Sequence, residues 1–121
     1  MVQRETSEHK ITDPAEMLVL VQPPLTKHPG VYFREVVMPQ FKLKIAPLAA
    51  RIGVSRPNLS NVLHGKVDVS RDLAYRLGAL LGDAVADFLI AYQHRWDLER
   101  ERDRREELKR EIARLPLPAD A

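Results

Sequence analysis

The chain has 121 residues, of which 45% are apolar and 6% aromatic. This length allows one compact domain with modest extensions, and the apolar fraction suffices for a buried core. The absence of cysteine excludes a disulfide framework, a thiolate metal site and cysteine nucleophilic catalysis. No apolar run approaches the roughly 20 residues of a transmembrane helix, and the N-terminus lacks the order of a signal peptide. We therefore expect a cytoplasmic protein.

The net charge of +2 is distributed unevenly along the chain. Residues 42–76 hold seven basic and two acidic side chains, a net charge of +5, whereas the rest of the chain sums to −3. A basic segment inside an otherwise slightly acidic protein is typical of a protein that binds a polyanion such as nucleic acid.

Leucine, alanine, arginine and glutamate dominate the composition, which favours an all-α fold. Pro39 is expected to end the first helix, because proline lacks an N–H group. Ser55 and Ser70 are suitable N-caps for later helices, while Gly53 and Gly65 are suited to end them. The predicted helices span residues 29–38, 45–52, 55–63 and 70–81, with a longer fifth helix from residue 83.

These elements predict three parts of the chain. Residues 1–27 form an N-terminal extension, residues 28–82 a compact helix-turn-helix domain, and residues 83–121 a C-terminal helix for dimerisation or a tail. Within the extension, the apolar stretch 17–22 either adds a strand to a partner's sheet or packs on the domain. The predicted dimer interface comprises the apolar residues Phe88, Leu89, Tyr92 and Trp96.

Residues 48–63 have the spacing of a helix-turn-helix unit. Ala49 is small where two helices cross closely, and Gly53 permits the tight turn between them at positive φ. Leu59 and Val62 are spaced to anchor the second helix of the unit on the core. The unit therefore predicts DNA binding.

The opposite face of that second helix is expected to enter the major groove of DNA. Arg56 suits guanine N7 and O6, and Asn61 suits adenine N6 and N7. Asn58 belongs to the same base-reading face, where Pro57 offers only apolar contact. The residues expected to contact phosphates are Lys44, Ser55, His64, Lys66 and Arg71.

The sequence shows no pattern typical of a metal site, a catalytic site or a phosphate-binding loop. The four histidines lack paired ligand spacing, so no metal site is expected. No serine has a nearby histidine and acid in a catalytic arrangement, and no glycine-rich phosphate loop is present. We expect a protein without a cofactor that is not an enzyme. His28 is expected to cap or brace the first helix.

From His28 to Leu81 the sequence resembles the HigA antitoxins, a branch of the Xre/Cro-like helix-turn-helix proteins. The opening His28-Pro29-Gly30 points to this branch over generic Cro-like repressors. The resemblance implies a five-helix domain like those of Cro and the lambda repressor, with a long charged C-terminal helix. Its other motifs are Arg34-Glu35, Leu48-Ala49 through Gly53-Val54-Ser55-Arg56, Gly65-Lys66 and the helix end from Leu77 to Gly82.

The resemblance also implies two activities. The protein would neutralise a HigB-type toxin, a small RelE-like ribonuclease that cuts mRNA, and it would repress their shared operon as a homodimer on palindromic operator DNA. Lys44 stands where the family usually has a serine or threonine cap, and Pro47 where a polar residue is common. Two alternatives remain open: a standalone Xre-family or phage-type repressor without a toxin, and a protein-interaction module that no longer reads DNA.

Overall fold

The computed structural model describes residues 25–119, and over this range all regular structure is helical. The all-α fold class is therefore confirmed for these residues. None of the described helices is long and apolar enough to cross a membrane. The apolar stretch 17–22 lies outside the described residues. The helices are α1 (residues 29–40), α2 (Ile45–Ile52), α3 (Arg56–Leu63), α4 (Arg71–Leu81), α5 (Asp83–Arg100) and α6 (Arg102–Glu111).

Helix α1 changes its winding along its length. It runs as an α-helix over Pro29–Tyr32, as a π-helix over Phe33–Val37 and again as an α-helix over Met38–Gln40. The prediction that Pro39 ends this helix is therefore wrong. The N–H of Met38 donates to the carbonyl of Phe33, so the turn before the proline is wider than an α-turn. The wider turn relieves the clash between a proline ring and the preceding carbonyls, and the helix continues to Gln40.

The tripeptide that opens α1 has a separate physical role at each position. The Nδ1 atom of His28 accepts a hydrogen bond from the N–H of Gly30 at 2.9 Å, which confirms the expected cap. Pro29 occupies the first turn, where a missing N–H costs little. Gly30 faces α3, and a Cβ atom there would lie 2.0 Å from the carbonyl oxygen of Val62. Only glycine allows α1 to cross α3 at this distance.

One core joins all helices except α6. Helix α5 packs along α4 and adds Val85, Leu89 and Tyr92, each at most 1% exposed, to the residues that α1 to α4 bury. The rings of Tyr32, Phe88 and Tyr92 form a cluster with centroids 5.5 to 5.7 Å apart. The Tyr92 hydroxyl donates to the carbonyl of Lys27, and burial raises the pKa of Tyr92 to about 12.

The assignment of a dimer interface to the apolar face of α5 is wrong for most of its residues. Phe88, Leu89 and Tyr92 are buried inside their own protomer, so they have no surface to offer a second copy. Trp96 is half-buried, and its indole packs edge-on against the His28 ring with centroids 5.5 Å apart. Sequence periodicity finds the apolar face of a helix but does not reveal which partner covers it.

The predicted long C-terminal helix is divided into α5 and α6 at Glu101, whose backbone has φ −96° and ψ 7°. Helix α6 buries no residue and carries exposed ion pairs such as Glu106 with Lys109 at 3.0 Å. Ile112, Leu115 and Leu117 beyond it are 64%, 83% and 75% exposed. The domain therefore does not depend on α6 for its core.

His28 is titratable as well as structural. Its Nε2 atom is buried without a hydrogen-bond partner among the described residues, and Asp68 Oδ1 lies 3.7 Å away. Burial lowers the pKa of His28 below its ordinary value of 6.5, and the nearby Asp68 opposes this shift only in part. The lowered pKa favours the neutral imidazole at neutral pH, and the hydrogen bond from the N–H of Gly30 to Nδ1 requires an unprotonated Nδ1.

We expect Gly30→Ala to destabilise the protein by about 2 kcal/mol, because the added methyl overlaps the Val62 carbonyl. Helix propensity alone predicts the opposite sign, a gain of up to about 1 kcal/mol. Urea denaturation gives the free energy of unfolding and decides between the two. A variant as stable as the wild type would contradict the close crossing of α1 and α3.

We expect the free energy of unfolding to fall as the pH decreases below about 6.5, because the unfolded chain protonates His28 at a higher pH than the folded protein does. His28→Asn keeps a side-chain oxygen that caps α1 but does not titrate. Its stability should change less than that of the wild type between about pH 7.5 and 5.5. Chemical denaturation at each pH gives the free energy of unfolding of both proteins. If the two curves against pH are parallel, His28 is not the source of the pH dependence.

Candidate nucleic-acid interface

Helices α2 and α3 form the helix-turn-helix unit that the sequence predicts. Gly53 ends α2 in the left-handed region with φ 77° and ψ 32°, and the N–H of Val54 donates back to Ala49 at 3.1 Å. A side chain is strained in this conformation, so glycine permits the short turn. Ser55 follows in an extended conformation and is the N-cap of α3.

Helix α3 has one buried and one exposed face. Leu59, Val62 and Leu63 are 1%, 8% and 1% exposed, which fixes the helix on the core. The Ser55 hydroxyl oxygen accepts from the N–H of Asn58 at 3.2 Å, so the predicted N-cap is present. The base-reading candidates all lie on the exposed side: Arg56, Pro57, Asn58 and Asn61.

A basic groove lies where α1 passes into α2. Lys44 precedes α2 in an extended conformation, and its side chain makes no cap hydrogen bond. The groove is also lined by Arg34 and Lys42, and the backbone of Lys42 has a φ of 56°. These three cations suit an anion such as a backbone phosphate.

The remaining phosphate candidates occupy different surroundings. Lys66 is exposed just after α3. His64 is exposed, but its Nδ1 atom lies 2.8 Å from the Ser60 carbonyl oxygen, so this side of the ring is used within α3. Arg71 lines a groove between α4 and α5 with Tyr75 and His94. The structure therefore places Arg71 beside α5 instead of in the groove of Lys44.

Two arginines whose contacts the sequence does not predict bind the C-terminal ends of α3 and α2. Arg34 of α1 donates from Nε to the carbonyl of Leu63 at 3.0 Å, at the C-terminus of α3. Arg76 of α4 donates from Nη1 to the carbonyl of Ile52 at 2.9 Å, at the C-terminus of α2. Both cations meet the partially negative end of a helix, where they stabilise unpaired carbonyls. No local pattern predicts these contacts, since the carbonyls lie 29 residues from Arg34 and 24 residues from Arg76.

A buried glutamine connects the unit to α5. The Oε1 atom of Gln93 accepts from the N–H of Val69 at 2.9 Å, and its Nε2 atom donates to Asp97 at 2.9 Å. The first bond ties the loop after α3 to α5, and the second lies within α5 and holds the Gln93 amide. The helix α3 is thus supported by α1, by α4 through the preceding turn, and by α5 through the following loop.

Comparison with known proteins finds relatives among solved structures, while no family model and no curated sequence matches the chain. The antitoxin HigA of Pseudomonas aeruginosa, solved with the higBA promoter, is 27% identical over 74% of this chain and 98% of its own, with a TM-score of 0.65. PA4674 of the same organism, in complex with 28-base-pair operator DNA, is 28% identical over 74% and 98%, with a TM-score of 0.64.

The antitoxin GraA is also similar in structure and has a higher sequence identity to this chain. It is 32% identical, the alignment covers 74% of this chain and 96% of GraA, and the TM-score is 0.64. This identity over nearly the whole relative agrees with the opening tripeptide and the helix-turn-helix geometry described above. The chain belongs to the HigA-type family of helix-turn-helix antitoxins.

Proposed function

We propose that this protein is an antitoxin that binds operator DNA and represses its own toxin–antitoxin operon. The observation that carries the proposal is the exposed face of α3, which presents Arg56, Asn58 and Asn61 from a helix whose other face is buried. An eight-residue helix of this kind fits the major groove with its N-terminal residues at the base edges. Its relatives HigA and PA4674 were solved with promoter or operator DNA.

Within this proposal the residues have two kinds of role. Arg56 forms a bidentate pair with a guanine, Asn61 does so with an adenine, and Asn58 and Pro57 complete the contact with the bases. The phosphate contacts come from Lys44, Ser55, His64, Lys66 and Arg71, with Arg34 and Lys42 adjoining Lys44 in the basic groove. The phosphate contacts fix the register of α3 on the duplex, and the base contacts select the sequence.

The protein acts as a homodimer in this proposal. A two-fold dimer presents two copies of α3 about 34 Å apart, which matches an inverted repeat with half-sites one helical turn apart. Since most of the apolar face of α5 is buried within the protomer, the second copy has to be held by other residues. It is a non-membrane protein of the cytoplasm, and we assign it no enzymatic activity.

We further propose that the partner is a HigB-like toxin. This assignment is supported by the family of the chain and by apolar side chains outside the core, where Leu115 and Leu117 are 83% and 75% exposed. Exposed apolar side chains near each other are typical of surfaces that bind other proteins. The DNA-binding face on α3 and these residues lie in separate parts of the chain.

The DNA-binding proposal predicts the result of Arg56→Ala with Asn61→Ala. Since each bidentate base contact provides about 1–3 kcal/mol of discrimination, affinity for the promoter of its own gene should fall on the order of a hundredfold. Fluorescence anisotropy with this promoter and with a scrambled duplex measures the loss. Arg110→Ala, on the exposed α6, removes a similar charge and serves as the control. Operator affinity equal to that of the control would contradict the base-reading assignment.

The toxin proposal predicts that co-expression with the product of the neighbouring reading frame restores growth that this product alone arrests. The two proteins should also co-purify as a stable complex, which size-exclusion chromatography detects. The double variant at Arg56 and Asn61 should still restore growth, because its substitutions lie on the DNA-binding face. If the neighbouring product is harmless, or is toxic but not neutralised, the toxin proposal is contradicted. The protein would then be a repressor without a toxin partner.

A further inference from the structure

Arg76 joins the helix-turn-helix unit to a helix outside it. Its Nη1 atom donates to the carbonyl of Ile52 at 2.9 Å and lies 3.5 Å from the carbonyl oxygen of Gly53. Its Nε atom donates to Oδ2 of Asp72, one turn earlier on α4, at 2.7 Å. One guanidinium group thus connects the N-terminal part of α4 to the last carbonyls before the turn into α3.

The carbonyls that Arg76 contacts lie just before α3, so the contact affects the orientation of that helix. Helix α3 starts at Arg56, three residues after Gly53, and its base-reading residues all lie in its first two turns. Any rotation of the turn about Gly53 therefore moves Arg56 and Asn61 directly. Because bidentate base contacts depend on both distance and direction, a small change in the orientation of α3 weakens them more than it weakens contacts to phosphates.

Among the contacts described above, no other side chain of α4 donates a hydrogen bond to the carbonyls of this turn. Gly53 has no side chain, and a Cβ atom added to it would lie 3.1 Å from Nη1 of Arg76, so the guanidinium packs directly on the turn. Asp72 accepts from the Nε atom of the same guanidinium and is itself 75% exposed. The pair costs little desolvation, yet it fixes the direction in which Arg76 reaches.

We propose that Arg76 is a positioning residue for DNA recognition, oriented by Asp72, which fixes the turn before α3 and hence the direction of the base-reading side chains. The proposal rests on the proposed function, DNA binding through α3. Arg76 acts through the Ile52 and Gly53 carbonyls and does not itself read a base. Its removal should therefore reduce discrimination between DNA sequences more than it reduces affinity for DNA in general.

The experiment compares Arg76→Gln with Arg110→Gln, which removes the same charge from the exposed α6. Binding of the full chain to the promoter of its own gene and to a scrambled duplex is measured at several salt concentrations. Arg76→Gln should lose about tenfold of promoter affinity while its affinity for the scrambled duplex stays near that of Arg110→Gln. The slope of log Kd against log salt concentration should match that of Arg110→Gln, because no phosphate contact is lost.

Asp72→Ala provides a second test, because two explanations predict opposite changes in promoter affinity. Removing a negative charge strengthens binding to a polyanion if only long-range electrostatics matters. If Asp72 orients Arg76, promoter affinity instead falls by a few fold while affinity for the scrambled duplex rises or stays constant. This substitution lies on an exposed helical turn, so it also serves where Arg76→Gln fails to fold.

The inference is overturned by either of two results. Equal losses on both duplexes, with a salt slope smaller by about one, would make Arg76 a phosphate contact. A lower melting temperature with unchanged promoter preference would make its role purely structural. A wild-type protein that does not prefer its promoter over the scrambled duplex would contradict the proposed function itself, which separates that failure from a failure of the inference.

Discussion

The close crossing of α1 and α3 is the constraint on which the rest of the domain depends. Gly30 lies so near the Val62 carbonyl that no side chain fits between the two backbones. This contact fixes the C-terminal half of α3, while the exposed face of the helix points away from the core. His28 and Pro29 contribute to the same crossing, because they define where α1 begins and therefore which residue faces Val62. A motif that marks the family in the sequence thus has a mechanical explanation.

The polar contacts around α3 complement this apolar anchoring. Burial of Leu59, Val62 and Leu63 stabilises α3 on the domain but is not directional. Hydrogen bonds from Arg34 and Arg76 to helix-terminal carbonyls are directional, and they act at the end of α3 and at the turn before it. Apolar packing therefore decides that α3 lies on the domain, whereas the arginines restrict how it is oriented there. Reading base edges requires both.

The buried face of α5 contributes to the DNA-binding domain from outside the helix-turn-helix unit. Tyr92 and Leu89 complete the core under α1 and α4, and Gln93 fixes the loop that follows α3. Residues 83–100 are thus integral to the core, although their sequence changes from apolar to charged near Leu98. Helix α6 and the leucines after it stay outside this core.

The sequence by itself determined the local structure. Serine caps, glycines at positive φ and apolar spacing are short-range signals, and they placed α2, α3 and α4 to within one residue of their bounds. They also placed the exposed face of α3, because the inward face was set by Leu59 and Val62. Only the tertiary structure decided which helix covers Phe88, Leu89 and Tyr92, how α1 passes Pro39 through a π-helical turn, and what Arg34 and Arg76 bind. These outcomes depend on contacts between residues distant in the chain or on backbone geometry that several helices impose together, and neither is encoded in any local pattern.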